Sequence, residues 1–285
     1  MSEQIPGALY LVATPIGNLG DISGRAAETL RGADFIAAED TRVTRKLLEH
    51  LKIKKPLVSY YEHNRKESGE KILSRILSGE TCALVTDAGT PGISDPGEDL
   101  VRICIESGVT IFAIPGPCAA IAALAMSGLP TGRFTFEGFL STARKSRFEH
   151  LSELKTEKRT MVFYEAPHKL ERTLSDMLEV FGDRRVSISR EITKLYEETK
   201  RCTLSEASAH FGQTPPRGEF VLVIEGAKDN SAPDADIDDA IQAAVYYISS
   251  GMTVKDAVKK AADEAGFPKN KLYNAVVKRN PCNES

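Results

Sequence analysis

The feature of this sequence that most restricts its fold is a regular alternation of short apolar runs with helical segments over the first 120 residues. The runs at 8–12 (ALYLV) and 35–38 (FIAA) have the length and composition of buried strands, and the segments 22–30 and 45–51 carry apolar residues at helical spacing. The alternation continues with strands at 57–61, 82–85 and 109–114 and a helix at 66–77. Strands that alternate with helices are typical of a parallel sheet with right-handed crossovers. The sequence therefore predicts an α/β fold that begins with a parallel sheet.

Two loops rich in glycine and proline follow the last two predicted strands. The first, 84–97 (LVTDAGTPGISDPG), is fourteen residues long, and the second is 114–120 (IPGPCAA). Glycine removes side chains that would keep a ligand away from the backbone, and proline fixes the course of the chain. Parallel sheets bind ligands at the carboxyl ends of their strands. A single loop of this kind is more often an ordinary turn, but two in succession predict a rigid cradle for a ligand.

The pattern changes after residue 128. Further strand candidates lie at 134–139, 160–164, 186–190, 199–204 and 219–225. Strands spaced in this way predict a mixed or antiparallel sheet. We therefore expect an N-terminal α/β domain of residues 1–117 and a second domain of residues 118–227.

The end of the sequence is predicted to be a small helical extension, residues 237–285, behind a polar linker at 228–236. Its helical spacing is broken at 266–268 (GFP) and then resumes. Between residues 252 and 279, seven Lys or Arg against three acidic residues give a local charge of +4. This pattern suits a helix-turn-helix, and the alternative is a hairpin that packs on the second domain. A smaller basic cluster, Arg144, Lys145 and Arg147, is expected on a solvated face.

Composition places the chain among ordinary globular proteins. It has 285 residues, 41% hydrophobic and 27% charged, with a net charge of −3 that does not suggest a general nucleic-acid binder. No apolar run approaches the roughly 20 residues needed to span a bilayer. The start of the sequence lacks a basic segment before an apolar core, so no secretory signal is expected.

The cysteine pattern and the absence of nucleotide-binding motifs exclude further classes of protein. The five cysteines are scattered and form no C-x-x-C or Cys/His cluster, which indicates reduced thiols in a cytoplasmic protein and no metal site. The loop at 15–21 is not G-x-G-x-x-G, and no P-loop lysine motif is present. Nicotinamide and nucleoside-triphosphate enzymes therefore lack their fingerprints here.

With these motifs in view, the chain resembles the tetrapyrrole-methylase-like class of S-adenosylmethionine methyltransferases. Within that class it is similar to the branch that methylates cytidine 2′-oxygens in bacterial small-subunit ribosomal RNA. The resemblance covers about residues 8–280. The segments that carry it are 11–23 (LVATPIGNLGDIS), 37–42 (AAEDTR), 63–64 (HN), 86–97 (TDAGTPGISDPG), 114–120 (IPGPCAA), 163–169 (FYEAPHK), 189–198 (SREITKLYEE) and the tail around 270–273 (NKLY).

The resemblance implies a two-domain α/β protein, a homodimer, that binds S-adenosylmethionine in a cleft closed by the second domain. The loop that is Gly-Asp-Pro in tetrapyrrole enzymes is Gly89-Thr90-Pro91 here. The positions that would contact the methyl donor are Pro15, Ala88, Gly89, Thr90, Ile93, Ser94, Cys118, Ala119, Tyr164 and Glu165.

The resemblance also implies a ribosomal RNA acceptor near the decoding centre. We expect the helical tail to dock this RNA, because the tail is basic, follows a polar linker and carries none of the cleft motifs. A ribose hydroxyl must lose a proton, so a general base is expected among the polar residues at strand ends. The candidates are Asp40, Arg42, His63, Asn64, Glu191 and Lys194. Asp40 can equally be a helix N-cap, and His63 an ordinary loop residue. A tetrapyrrole or other small acceptor, and a non-catalytic RNA-binding assembly factor, stay open as alternatives.

Overall fold

A computed structural model describes residues 7–228 and 237–279 of the chain. The chain divides into two compact units, Met1–Ala227 and Lys228–Ser285. The first unit contains two five-stranded sheets, which lie one after the other along the chain.

The first sheet is fully parallel, as the alternation of strands and helices predicts. Its strands are β1 (Ala8–Val12), β2 (Phe35–Ala38), β3 (Leu57–Ser59), β4 (Cys82–Val85) and β5 (Thr110–Ile114), and their order is β3-β2-β4-β1-β5. The helices α1 (Gly24–Gly32), α2 (Thr41–His50), α3 (Arg65–Leu77) and α4 (Gly97–Glu106) connect them. One apolar cluster contains Val12, Ile36 and Val85, and a second contains Leu9 and Phe35 together with other strand residues. Strands buried on both faces read as continuous apolar runs, which is why the sequence shows them clearly.

The second sheet is mixed, as predicted. After α5 (Ala119–Met126), its strands are β6 (Phe134–Phe139), β7 (Thr160–Glu165), β8 (Arg185–Arg190), β9 (Glu198–Thr203) and β10 (Phe220–Ile224), in the order β6-β7-β10-β8-β9. Only β6 and β7 pair in parallel, and the other neighbours are antiparallel. The helices of this part are α6 (Arg144–Glu153), α7 (Pro167–Phe181) and α8 (Leu204–Phe211).

Element boundaries differ from the prediction where polar side chains bond to the backbone. Helix α2 begins at Thr41 rather than near Arg45, because the Asp40 carboxylate accepts the Arg42 N–H and caps the helix. Strand β3 ends at Ser59 rather than Tyr61, because the Asn64 side chain bonds to both of those residues and forms a turn. Short polar side chains compete with regular structure in this way, and apolar spacing does not reveal it.

The expectation that Arg144, Lys145 and Arg147 form one solvated basic cluster is wrong. Arg147 is only 2% exposed, and its Nε donates to Asp176 Oδ2 over 2.6 Å. Its Nη1 donates to two backbone carbonyls just before α6. A charge can be buried when it is paired and hydrogen-bonded, and Asp176 on α7 supplies that partner.

The second unit contains three helices with a core of their own. They are α9 (Ile237–Ser249), α10 (Val254–Ala265) and α11 (Lys269–Arg279), and their core includes Ala244, Val258 and Leu272. Gly266 ends α10 in the left-handed conformation at φ +62°, at the predicted break. Most of the predicted linker, residues 229–236, and the end of the tail, residues 280–285, lie outside the described residues. Within the described part of the chain, no helix is long and apolar enough to cross a membrane.

Candidate active site

The loops after β1, β4 and β5 are tied together at the carboxyl end of the first sheet. Thr14 and Gly89 exchange two backbone hydrogen bonds, of 2.9 and 3.1 Å. The hydroxyl of Thr90 donates to the Pro117 carbonyl over 3.3 Å, and the hydroxyl of Thr14 donates to the Thr86 carbonyl over 3.1 Å. The predicted cradle is therefore one connected surface made from three loops.

Asp95 organises the long loop between β4 and α4. Its carboxylate accepts the N–H of Gly92 at 2.9 Å and the N–H of Gly97 at 2.7 Å. Burial raises the pKa of Asp95, and these backbone N–H groups offset only part of that effect. Ser94 stands beside it with φ +60°, a backbone conformation unusual for a residue other than glycine. The loop is thus held in a fixed shape by its own carboxylate.

The opposite wall comes from β7 in the second sheet. The Tyr164 hydroxyl accepts the N–H of Ala120 in the first turn of α5 over 3.3 Å, and burial raises the pKa of this tyrosine to about 12. Its ring lies 5.1 Å from the ring of Phe136 and 5.4 Å from that of Phe139, in aromatic contact with both. Tyr164 therefore joins the second sheet to the loop that follows the first.

Glu165 is 2% exposed and fully engaged by its neighbours. Its carboxylate accepts hydrogen bonds from the Thr173 hydroxyl at 2.5 Å and the Ala166 N–H at 2.8 Å, and it pairs with Lys169 at 3.1 Å. These contacts hold the start of α7 against the cavity. Glu165 is suited to shaping the wall rather than to moving a proton.

A cavity of about 510 Å³ lies between these walls. Nine of the ten positions expected to contact a methyl donor line it: Ala88, Gly89, Thr90, Ile93, Ser94, Cys118, Ala119, Tyr164 and Glu165. Further lining residues were not expected, among them Glu39, Asp95, His168, Ile192, Phe220 and Val221. Glu39, Asp95 and His168 lie inside the motif segments and could have been found there. Ile192 also lies inside a motif segment, 189–198, whereas Phe220 and Val221 reach the cavity only through the pairing of the second sheet.

A second cavity of about 410 Å³ adjoins the first. It contains the tenth position, Pro15, and also Lys194. The two cavities have four lining residues in common, which are Ile16, Thr86, Ala88 and Glu219. Two ligands bound in these cavities would therefore be neighbours.

Asp40 and Arg42 form a local pair at the start of α2. The Arg42 guanidinium donates to both carboxylate oxygens of Asp40, the shortest distance being 2.6 Å. The Arg42 side chain and its backbone N–H hold the pKa of Asp40 at about 2. Asp40 is thus a helix N-cap, which is the alternative to a catalytic role, and neither residue lines either cavity.

His63 and Asn64 lie beyond the end of β3, the edge strand farthest from β5 in the order of the sheet. Asn64 Oδ1 accepts the Tyr61 N–H over 2.8 Å, so this side chain has a local structural task. His63 is exposed and meets the ring of Tyr61 edge-on at 6.2 Å. The structure does not bring these two residues to either cavity.

Glu191 and Lys194 belong to a loop that packs on the chain after β1. Lys194 Nζ bonds to Glu191 at 2.9 Å and to Glu219 at 2.8 Å. Burial alone would lower the pKa of Lys194, but the two carboxylates raise it above its usual value. A Cβ at Gly17 would lie 2.4 Å from the Lys194 side chain, so glycine is needed for this close approach. Glu191 lines neither cavity, whereas Lys194 lines the second.

Comparison with protein families agrees with this geometry. Residues 8–208 match the family Tetrapyrrole (Corrin/Porphyrin) Methylases. The chain belongs to this family. Among its curated relatives, a protein of Halalkalibacterium halodurans is 48% identical and one of Bacillus subtilis is 45% identical, with 94% of each chain covered in both cases. Both relatives are named ribosomal RNA small subunit methyltransferase I.

Solved structures of the same fold are more distant in sequence. Uroporphyrin-III C-methyl transferase from Thermus thermophilus, complexed with S-adenyl homocysteine, has a TM-score of 0.55 at 18% identity, over 77% of this chain and 97% of that one. The methyltransferase CobJ has a TM-score of 0.59 at 19% identity, over 78% of this chain and 95% of that one. These similarities confirm the two-sheet α/β fold.

Proposed function

We propose that this protein transfers a methyl group from S-adenosylmethionine to the 2′-oxygen of a cytidine in small-subunit ribosomal RNA, near the decoding centre. The observation that carries the proposal is the 510 Å³ cavity, because nine of the ten positions expected to contact the donor line it. The names of relatives that are 45–48% identical over 94% of the chain support ribosomal RNA as the acceptor.

The chemistry of the cavity fits this donor. Its volume is within the roughly 300–1,000 Å³ that small-molecule sites occupy. Helices α5 and α7 both begin at the cavity, and the side chains of their N-cap residues, Cys118 and Ala166, do not cap the helix with a hydrogen bond. Helix N-termini favour an anionic group, while the carboxyl groups of Glu39 and Asp95 favour a cationic one. S-adenosylmethionine carries groups of both signs.

Each wall has a separate task in this proposal. When bound, the donor supplies a methyl group on a positively charged sulfur. The cradle of Ala88, Gly89 and Thr90 presents mainly backbone to it, and Tyr164 closes the opposite side. Methyl transfer needs little covalent assistance, so positioning of the two reactants supplies much of the rate.

We assign positioning roles to the six polar candidates from the sequence. Asp40, with a pKa of about 2, is a weak base near neutral pH and is suited to fixing Arg42. Arg42 is exposed and available to a phosphate, and His63 and Asn64 lie on the same end of the sheet. Glu191 holds Lys194 at the second cavity. We propose that all six contact or orient the RNA.

We further propose that the protein acts as a homodimer in the cytoplasm. Strand β5 is an edge of the parallel sheet, and Phe112 on it is 43% exposed and stacked on Tyr10. Unpaired edges and exposed aromatic side chains are features that a second copy can cover. Light scattering after gel filtration should give twice the chain mass, and a monomer would contradict this part of the proposal.

One side-by-side assay separates the possible acceptors. The full chain is incubated with labelled S-adenosylmethionine and one of three acceptors: deproteinised small-subunit RNA, intact small subunits or a porphyrin precursor. We expect label in RNA, recovered as 2′-O-methylcytidine after nuclease digestion. Label in the porphyrin alone would replace the proposal by the small-acceptor function. Donor binding with no transfer to any of the three would support a non-catalytic assembly factor.

A further inference from the structure

The second cavity has the chemistry of a nucleotide site. Leu19 and Val43, which are 43% and 39% exposed, supply an apolar wall, and Lys46 supplies a positive charge. Lys46 makes no ion pair with any residue that the structure describes, whereas Lys194 is held by two carboxylates. An apolar surface beside an uncompensated cation suits a base and its phosphate.

An unpaired hydroxyl points to a ligand in this cavity. Thr44 lines it and is only 3% exposed, yet its Oγ1 has no hydrogen-bond partner within the described part of the chain. A buried hydroxyl without a partner carries a desolvation cost that a bound polar group would remove. Thr44 stands in the first turn of α2, on the same helix as Lys46.

A carboxylate stands where the two cavities meet. Asp87 lines the second cavity next to Thr86 and Ala88, which line both. Its Oδ1 accepts the Asp40 N–H at 3.0 Å, and its Oδ2 has no hydrogen bond to the residues described. Partial desolvation and the nearby carboxylates of Glu39 and Asp40 raise the pKa of Asp87, and the Asp40 N–H and the charge of Arg42 offset only part of this effect. A higher pKa makes a carboxylate a stronger base.

We propose that the second cavity holds the acceptor nucleotide, with Thr44 and Lys46 binding it and Asp87 taking the proton from its 2′-hydroxyl. This inference rests on the proposed function and identifies the acceptor subsite and the base. The ribose oxygen forms a bond to the methyl carbon, and the carbon–sulfur bond breaks with both electrons staying on sulfur. The hydroxyl proton goes to Asp87 Oδ2 and leaves to water afterwards, so charge and atoms balance.

Asp87→Asn tests the base. An asparagine Oδ1 can still accept the Asp40 N–H, so the fold of the loop should persist. With small ribosomal subunits from a strain lacking the gene, we expect kcat to fall by roughly 10²–10⁴-fold. The KM for subunits and the affinity for S-adenosylhomocysteine should change less than about threefold. Glu49→Gln, on an exposed part of α2 outside both cavities, is the matched control.

Thr44→Val tests the subsite with an isosteric change. Because the hydroxyl has no hydrogen-bond partner among the described residues, the variant should be at least as stable as the wild type. We expect kcat/KM for subunits to fall roughly 2- to 10-fold, as expected for one hydrogen bond. Ser187→Ala removes another buried hydroxyl that has no partner in the part of the chain that the structure describes. Ser187 lies outside both cavities, so this variant should leave kcat/KM unchanged. Lys46→Ala should raise the KM for subunits. It should also reduce the slope of the logarithm of the binding constant against the logarithm of the salt concentration by about one.

The outcomes separate this inference from the proposed function. Wild-type protein that methylates no RNA would overturn both. Wild-type activity together with normal kcat in folded Asp87→Asn would remove Asp87 as the base. Normal kinetics and salt dependence in both Thr44→Val and Lys46→Ala would place the acceptor outside the second cavity.

Discussion

At the scale of single residues, the stability of the fold depends on a buried ion pair between Arg147 and Asp176. The two side chains are 2% and 9% exposed, and their closest atoms are 2.6 Å apart. Removing one partner of a buried pair leaves a charge without compensation, which costs far more than breaking a surface pair. The ion pair joins α6 to α7 and so fixes the helical side of the second sheet.

Asp176→Asn should therefore lower the free energy of unfolding by about 3–5 kcal/mol, measured by urea denaturation. Replacing both partners, as Arg147→Met with Asp176→Leu, should recover most of that loss. Glu67→Gln, which breaks the exposed pair with Lys71, is the control and should leave the unfolding midpoint nearly unchanged. If Asp176→Asn lowered the free energy of unfolding no more than that control, the ion pair would not contribute to the stability of the fold.

The sequence could not reveal this pair. Arg147 lies two residues after Lys145 and reads as part of a basic surface cluster. Its partner is 29 residues away and belongs to a different helix. Local spacing describes which face of a helix is apolar, but it does not identify a distant carboxylate.

At the scale of elements, the loops after β1, β4 and β5 depend on one glycine conformation. Gly89 has φ +87°, a value that side-chain-bearing residues rarely adopt, and a Cβ there would meet Ile16 and the Pro117 carbonyl only at ordinary van der Waals distances of 3.5 and 3.7 Å. The protein itself therefore has room at Gly89. A larger side chain would instead occupy the edge of the 510 Å³ cavity that this residue lines.

Gly89→Val should abolish or strongly weaken S-adenosylmethionine binding, measured by calorimetry. Gly108→Val is the matched control, because Gly108 has φ +73° and nothing within 4 Å of its Cβ position, and it does not line either cavity. Both variants should lose a similar amount of stability, on the order of 1–3 kcal/mol. Unchanged donor affinity in folded Gly89→Val would contradict the assignment of the cradle.

Most of this cradle could be located from the sequence, because strand ends in a parallel sheet meet at one edge. The part that could not be located comes from the second sheet. Phe220 and Val221 begin β10, and they reach the cavity because β10 pairs with β7 in antiparallel register, with Phe220 opposite Glu165. That register joins residues 55 positions apart, and no local pattern encodes it.

At the scale of the whole molecule, the helical extension is basic, and it contains none of the sequence motifs that line the two cavities. Lys269 and Lys271 on α11 are exposed, and the three helices have a core of their own. The architecture of two sheets and a helical end was predictable from periodicity, because each element has a distinct apolar spacing. The division at residue 117 stays a prediction, since both sheets fall within one compact unit.

Replacing Lys269, Lys271 and Lys278 together by Ala should weaken RNA binding. The slope of the logarithm of the binding constant against the logarithm of the salt concentration should fall by about one for each phosphate that the protein no longer neutralises. Donor affinity should stay the same. Three exposed lysines in the first unit, Lys54, Lys145 and Lys155, serve as the control set. Normal RNA binding by the tail variant across a salt titration would favour the packing hairpin instead.

The two backbone hydrogen bonds between Thr14 and Gly89 bear on how this surface can change over evolution. With glycine kept at position 89, these main-chain bonds do not depend on the neighbouring side chains, so the path of the chain is preserved while residues around it are replaced. Substitutions at residues that line only the second cavity can then change the shape of that cavity without changing the first. In the proposed function, such a fold can evolve to methylate a different acceptor while it continues to bind S-adenosylmethionine.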